Sequence, residues 1–241
     1  METWNKNAPP IFVALDVDTE EEALSLAGMT SGFVGGYKVG PRLCMKYGEP
    51  LIKKLAALGS VFIDNKYFDI PNTMESAVRA TFNSGASFAT VHAQSGREAL
   101  KRMAELEAEL NKERFFKILS VTVLTSFSKD TLPGTVKEVS LKDQVRLLAQ
   151  ESVDAGLSGL VCSAHEVEDL RAMFPDCFLV TPGIRFPDED NADQKRVMGP
   201  REAIACGSSA LVVGRPICAS SNPLTAAQKF YYELMATDVS E

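Results

Sequence analysis

The sequence predicts a (β/α)8 barrel of the TIM type, α/β in class, formed as one domain over residues 1–241. Three observations predict it. Short apolar runs alternate with helix-like segments eight times, at roughly 30 residues per unit, the rhythm of parallel β/α repeats. No composition shift or linker divides the chain, and barrels of this length are routinely single domains. An open doubly wound sheet is the competitor, but the glycine-rich turn a dinucleotide fold wants after strand one is missing. Leu15-Asp16-Val17-Asp18 stands there instead.

The elements follow in order. Ile11 to Leu15 is the first strand, closing at Asp16. Thr19 and Glu22 make a capping box, and the acidic run Glu20 to Glu22 suits a helix N-terminus. Phe33 to Val39 is strand two, with Lys38 near its end, and a helix runs from after Gly40-Pro41 to about Leu58. Val61-Phe62-Ile63 is a buried strand, extended by Asp64-Asn65-Lys66. Successive strand side chains face opposite sides, so Asp64 and Lys66 share a face and Asn65 turns towards the helices, where its amide needs a partner. Pro71 stops the strand, and Asn72 with Glu75 completes a second capping box.

Phe88 to Val91 is strand four, followed by His92. Ala99, Met103, Leu106 and Leu110 form a core-facing helical stripe. Ile118 to Leu124 is strand five, ending in Thr125-Ser126, with Val145, Leu148 and Ala149 marking its helix. Leu160-Val161, Phe178 to Val180 and Ala210 to Val213 are strands six to eight, and Asn222-Pro223 opens the last helix.

Bulk composition narrows the function. The chain carries 45% hydrophobic and 24% charged residues, an ordinary globular balance. Its net charge of −7 argues against a general nucleic-acid binder. No apolar run reaches membrane-spanning length, and Met1 to Pro10 lacks a signal-peptide core. The five cysteines show no zinc-ligand spacing and no C-x-x-C pair, which fits reduced thiols and a cytoplasmic location. An acidic chain that handles an anionic ligand must gather its positive charge at one place.

In a barrel, the C-terminal strand ends converge on one mouth. The residues placed there are Asp16, Lys38, Asp64, Lys66, His92, Thr125, Thr181 and Arg215. Alternating carboxylates and ammoniums tolerate partial burial, and they keep a lysine protonated, as a proton donor must be. Barrels often hold phosphate with the loops after strands seven and eight. Gly214 there permits close backbone approach and Arg215 supplies a guanidinium fork. After strand seven, Thr181-Pro182-Gly183-Ile184-Arg185 leads into a long polar loop that suits a lid. His92 reads as structural and His165 as an exposed helix start. Two histidines are too few for a histidine metal site, and the lysines oppose magnesium on the mouth carboxylates, so no metal site is expected.

Nine blocks in order carry a resemblance. They are Val13-Ala14-Leu15-Asp16; Lys38-Val39-Gly40; Asp64-x-Lys66-x-x-Asp69-Ile70-Pro71-Asn72-Thr73; Thr90-Val91-His92-Ala93; Val121 to Ser126; Val161-Cys162-Ser163-Ala164; Thr181 to Arg185; Asp193-Gln194; and Gly214-Arg215-Pro216. Over nearly its whole length the chain resembles orotidine 5′-phosphate decarboxylases of the bacterial type.

The resemblance implies conversion of orotidine 5′-phosphate to uridine 5′-phosphate and carbon dioxide, in de novo pyrimidine biosynthesis, with no metal or organic cofactor. Lys66 would donate the proton to C6, with Lys38, Asp64 and Asp69 completing the charged set. Asp69 would enter the site of the other subunit of a homodimer. Asp16 and Lys38 would hold ribose hydroxyls, and Thr125 would contact the pyrimidine. Ile70 and Thr73 would belong to the substrate-binding set. Arg185, Gln194, Gly214 and Arg215 would grip the phosphate. The chain departs from the family pattern at Asn65, Tyr67-Phe68, Gln94, Ala192 and Gly199. Two other readings remain: a magnesium-dependent sugar-phosphate lyase or aldolase sharing Asp-x-Lys-x-x-Asp, and a non-catalytic nucleotide-binding barrel.

Overall fold

The computed structural model describes residues 8–134, 136, 139–186 and 198–235. Eight parallel strands close into a barrel in sequence order. They are β1 (Ile11–Ala14), β2 (Gly36–Val39), β3 (Ser60–Tyr67), β4 (Phe88–His92), β5 (Lys117–Val121), β6 (Gly159–Val161), β7 (Phe178–Pro182) and β8 (Ala210–Val213). Closure comes from β1 pairing with β8, Ile11 opposite Leu211 and Val13 opposite Val213, which excludes the open sheet.

Around them lie α1 (Glu20–Thr30), α2 (Pro41–Ala56), α3 (Pro71–Asn83), α4 (Arg97–Leu110), α5 (Leu141–Asp154), α6 (Val167–Met173), α7 (Pro200–Ala205), α8 (Arg215–Cys218) and α9 (Pro223–Met235). The capping box at α1 forms as the sequence predicts. The Glu22 amide donates to Thr19 Oγ1 at 3.2 Å and the Thr19 amide donates to Glu22 Oε2 at 3.1 Å. Such a cap stabilises a helix by about 1 kcal/mol.

The box expected at Asn72 does not form. Pro71 takes the first helical position, where its missing N–H costs nothing, and Ile70 becomes the residue before the helix. Glu75 instead pairs with Arg79 and Arg102. The second helix is not continuous either. Gly48 adopts φ +53, and Pro50 has no N–H to bond backwards, so α2 kinks there. Strands two and five are shorter than the apolar runs suggested, since Phe33 and Thr122 to Leu124 lie outside the ladders.

The apolar residues fill two shells. Phe12, Phe62 and Phe88 meet edge-on or tilted inside the barrel, with centroids 5.2 to 6.2 Å apart, and plug its interior. The outward-facing strand residues pack against the helices; Met103, Leu106 and Leu110 of α4 are buried there, as their spacing predicts. The plug leaves the opposite, C-terminal end of the barrel open for a site. No helix among the described residues is long and apolar enough to cross a membrane, and no disulfide joins the five cysteines.

Candidate active site

A cavity of about 400 Å³ opens at the C-terminal ends of the strands. Asp16, Lys38, Asp64, Lys66, Thr125, Arg185, Gly214 and Arg215 all reach it. Position at a strand end is the signal for all of these except Arg185, which lies beyond β7 and whose role only the family resemblance implies.

The charges form one alternating line. Lys38 Nζ lies 3.6 Å from Asp16 Oδ1 and 3.4 Å from Asp64 Oδ2. Lys66 Nζ donates to Asp64 Oδ1 at 2.9 Å. The Lys38 and Asp64 side chains are each only 14% exposed, while Asp16 at the outer end is 63% exposed. Burial pushes the Asp64 carboxyl up, but Lys38, Lys66 and the Thr90 hydroxyl together hold it below the usual carboxylate range. Asp64 is therefore ionised at neutral pH and can keep two ammoniums in place.

Lys66 reaches this line by an irregular route. Its φ is +50°, in the left-handed region that side chains with a Cβ seldom occupy. The β3–β4 ladder runs from Ile63 opposite Ala89 to Tyr67 opposite Val91. Simple alternation predicts the shared face of Asp64 and Lys66 but not this backbone. Thr90, quoted above only as part of a motif, contacts both residues: its hydroxyl accepts from the Lys66 amide at 2.8 Å and donates to Asp64 Oδ1 at 3.1 Å. Its inward position on β4, between inward Phe88 and the strand end, was the available clue.

Asn65 turns away, as alternation predicts. Its Nδ2 donates to Tyr67 Oη at 3.1 Å, which contacts Thr81 Oγ1 of α3 at 2.8 Å. Its Oδ1 is buried with no hydrogen-bond partner among the described residues.

β7 lies diametrically across the ring from β3. There Gly183 turns at φ +80, a conformation suited to glycine, and delivers Ile184 and Arg185 to the cavity. A Cβ on Gly214 would stand 3.9 Å from Asp16 Oδ2, so the glycine keeps that corner of the cavity open.

Two residues placed at the mouth do not reach the main cavity. Val180 and Pro182 line it, so Thr181 between them faces outward, fully buried, with its hydroxyl 2.5 Å from that of Ser208. His92 borders a small adjoining cavity of about 40 Å³ instead. Its Nδ1 accepts from the Gln94 amide at 3.2 Å, and its ring stacks on Phe68 at 5.5 Å and 22°. Burial, then Lys66, lowers its pKa. That stack accommodates the atypical Phe68. Gly199 precedes α7 without a side-chain cap.

Asp69, Ile70 and Thr73 do not enter this chain's own cavity; they lie exposed beyond β3, with the Asp69 carboxylate accepting from the Ile70 amide at 2.7 Å. Gln194, Ala192 and the expected lid fall outside the described residues.

The sequence reasoning also passed over the apolar wall, including Phe62, Val121, Val161 and Val212. Those residues alternate inward, and an apolar run alone does not distinguish a cavity wall from packed core. Cys218 donates to the Ala14 carbonyl at 3.1 Å, and burial with Asp16 nearby pushes its pKa up to about 12, so it is an inert thiol. Among the described residues no group of three or more His, Cys, Asp or Glu is gathered to hold a metal ion.

Fold and site together define a barrel enzyme with its charged centre at the C-terminal mouth. The family model described as orotidine 5′-phosphate decarboxylase / HUMPS family matches residues 9–230, and the chain belongs to that family. It is 41% identical over 236 residues to a protein of Rhodospirillum rubrum named orotidine 5′-phosphate decarboxylase, covering 95% of this chain and 96% of that one. A protein of the same name from Carboxydothermus hydrogenoformans is 40% identical, covering 93% and 95%. The crystal structure of orotidine 5′-phosphate decarboxylase from Lactobacillus acidophilus superposes with a TM-score of 0.80 at 35% identity, over 95% of this chain and all of that one.

Proposed function

We propose that the protein is a carboxy-lyase that converts orotidine 5′-phosphate to uridine 5′-phosphate and carbon dioxide, the step that forms uridine 5′-phosphate in pyrimidine biosynthesis. The observation that carries this reading is the line Asp16–Lys38–Asp64–Lys66 on one side of a cavity whose other strands present Arg185 and Arg215. The family relationship supports it.

The chemistry needs such a line. When the bond from C6 to the carboxylate carbon breaks, its electron pair stays in the ring plane, where the ring's π system cannot absorb it. Stabilisation must then be electrostatic and prearranged. The Lys66 ammonium, fixed on Asp64, sits beside the carbanion and gives its proton to C6. Solvent returns a proton to Lys66 after product leaves. Asp64 also faces the departing carboxylate, and Lys38 keeps that anion in place.

Asp16 and Lys38 hold the ribose hydroxyls, and Thr125 contacts the pyrimidine. Arg185, Gly214 and Arg215, with Gln194, bind the phosphate across the ring. Binding energy gathered there serves the reaction at C6.

The protein acts as a single-domain barrel in a cytoplasmic homodimer, with Asp69, Ile70 and Thr73 completing the partner's site. Support comes from the exposure of Met45, Phe68 and Ile70, which are 86%, 62% and 67% accessible in the single chain.

The test is ultraviolet absorbance of orotidine 5′-phosphate with the purified protein in excess chelator. The expected result is a shift to the spectrum of uridine 5′-phosphate. A flat trace with and without magnesium would argue against decarboxylation; magnesium-dependent cleavage of a sugar phosphate would then favour the lyase reading, and binding of uridine 5′-phosphate with no turnover would favour a binding-only barrel.

A further inference from the structure

We propose that Thr90 is a positioning residue for Lys66: its buried hydroxyl staples the irregular end of β3 and holds the lysine where its ammonium meets Asp64. The proposal rests on the reading of Lys66 as proton donor.

The ladder makes the need visible. Between the pairs Ile63–Ala89 and Tyr67–Val91, β3 spends three residues, Asp64, Asn65 and Lys66, where β4 spends one, Thr90. Two residues are in excess, and the strand must bulge. A bulge leaves backbone groups without ladder partners, and buried N–H groups do not go unpaired without cost. The Lys66 N–H takes a side-chain acceptor in place of a carbonyl, Thr90 Oγ1 at 2.8 Å. Lys66 is also the one non-glycine residue with positive φ among the described residues, so its backbone must be held by its surroundings.

The second half of the staple is the hydroxyl proton. Thr90 Oγ1 already accepts from Lys66, so its own proton is available for Asp64 Oδ1 at 3.1 Å. The same carboxylate oxygen accepts from Lys66 Nζ at 2.9 Å. Both ends of the lysine are thereby tied, the backbone to Thr90 and the ammonium to Asp64, and the two anchors are tied to each other. Thr90 itself is fully buried on a strand whose neighbours Ala89 and Val91 pack outward against the helices, so it cannot drift. A short alcohol is what the position uses: one acceptor for the Lys66 amide and one donor for Asp64.

Thr90→Val keeps the shape and removes the hydroxyl. Misplacement of a reacting group by about 1 Å costs on the order of 10²-fold in rate, and kcat is expected to fall by that order. KM for orotidine 5′-phosphate should change little, because the phosphate is held across the ring. Thr90→Ser, which retains donor and acceptor, should recover most of the rate. Crystal structures of both variants read the geometry directly. In Thr90→Val, residue 66 should leave the left-handed region or its Nζ should leave Asp64. Should Thr90→Val fail to fold, Thr90→Ala carries the same comparison.

A hydroxyl-free variant with wild-type kcat overturns the proposal. So does Thr90→Ser losing as much rate as Thr90→Val, which would assign the effect to packing. A Thr90→Val structure with Lys66 unmoved overturns it whatever the activity. Wild-type protein inert towards orotidine 5′-phosphate sinks the functional reading instead, and the crystal structures still decide whether Thr90 sets the backbone at residue 66.

Discussion

Replacing Asn65 with leucine should stabilise the protein. Asn65 Oδ1 is buried with no hydrogen-bond partner among the described residues, while its Nδ2 donates to Tyr67 Oη. A buried acceptor without a donor costs about 1–3 kcal/mol. Leucine branches at the same carbon, so its two methyls take the places of Oδ1 and Nδ2. The substitution gives up the bond to Tyr67, worth about 0.5–1.5 kcal/mol net. Tyr67 keeps its contact with Thr81 at 2.8 Å, so that hydroxyl is not orphaned in turn. Taking the middle of each range, the balance favours leucine by about 1 kcal/mol, before any gain from apolar burial. For a chain of this size each kcal/mol moves the melting temperature about 2–4 °C, so a rise of about 2–4 °C is expected.

The assay is thermal unfolding alongside urea denaturation, where the midpoint should rise at constant slope. Turnover should be unchanged, since residue 65 faces away from the cavity. A fall in melting temperature would refute the reasoning. It would mean that Oδ1 is satisfied after all, by a buried water or by the Cys44 thiol beside the amide. Burial raises the pKa of that thiol, and the Asn65 amide partly offsets it.

Lys66→Ala and Asp69→Ala should each remain folded and lose nearly all turnover; in the proposed homodimer a hybrid would regain one intact site, so mixing the two should restore part of it, and no recovery would argue against a shared Asp69. Arg215→Ala should act through phosphate binding and raise KM, so unchanged kinetics would remove Arg215 from the site. His92 should titrate by NMR with a midpoint below 6.5, and Lys66→Ala should raise that midpoint only partway, since burial is the larger cause. Because folding lowers this pKa, the unfolded chain binds the extra proton between the folded value and 6.5, and His92's contribution to stability should rise with pH across that window.

Much of the site was legible because strand ends in a barrel have a fixed destination. Asp16, Lys38, Asp64 and Arg215 needed only to be counted to the end of their runs. Thr181 shows where counting fails: β7 continues to Pro182, and one residue of phase turns an inward hydroxyl outward. Thr90 was invisible for another reason. Its role depends on a mismatch in length between β3 and β4, and pairing register is a property of two strands, not of either run. At Asn72 the reason is local: Pro71 beside it takes the first helical position and moves the helix start ahead of Asn72. The kink of α2 was written in Gly48 and Pro50, yet glycine inside an apolar periodic stretch is compatible with an unbroken helix until tertiary packing chooses otherwise.

The seam between β1 and β8 has a consequence for how the molecule is made. Ile11 finds its partner Leu211 only after 200 further residues exist. At synthesis rates of about 5–20 residues per second, that is roughly 10–40 s during which β1 shows an unpaired edge. β1 is made before every other strand of the barrel, yet its second side is covered only when β8 closes the ring. The nascent chain is most open to misassociation in that interval, and truncation anywhere before β8 would leave the vulnerability permanent.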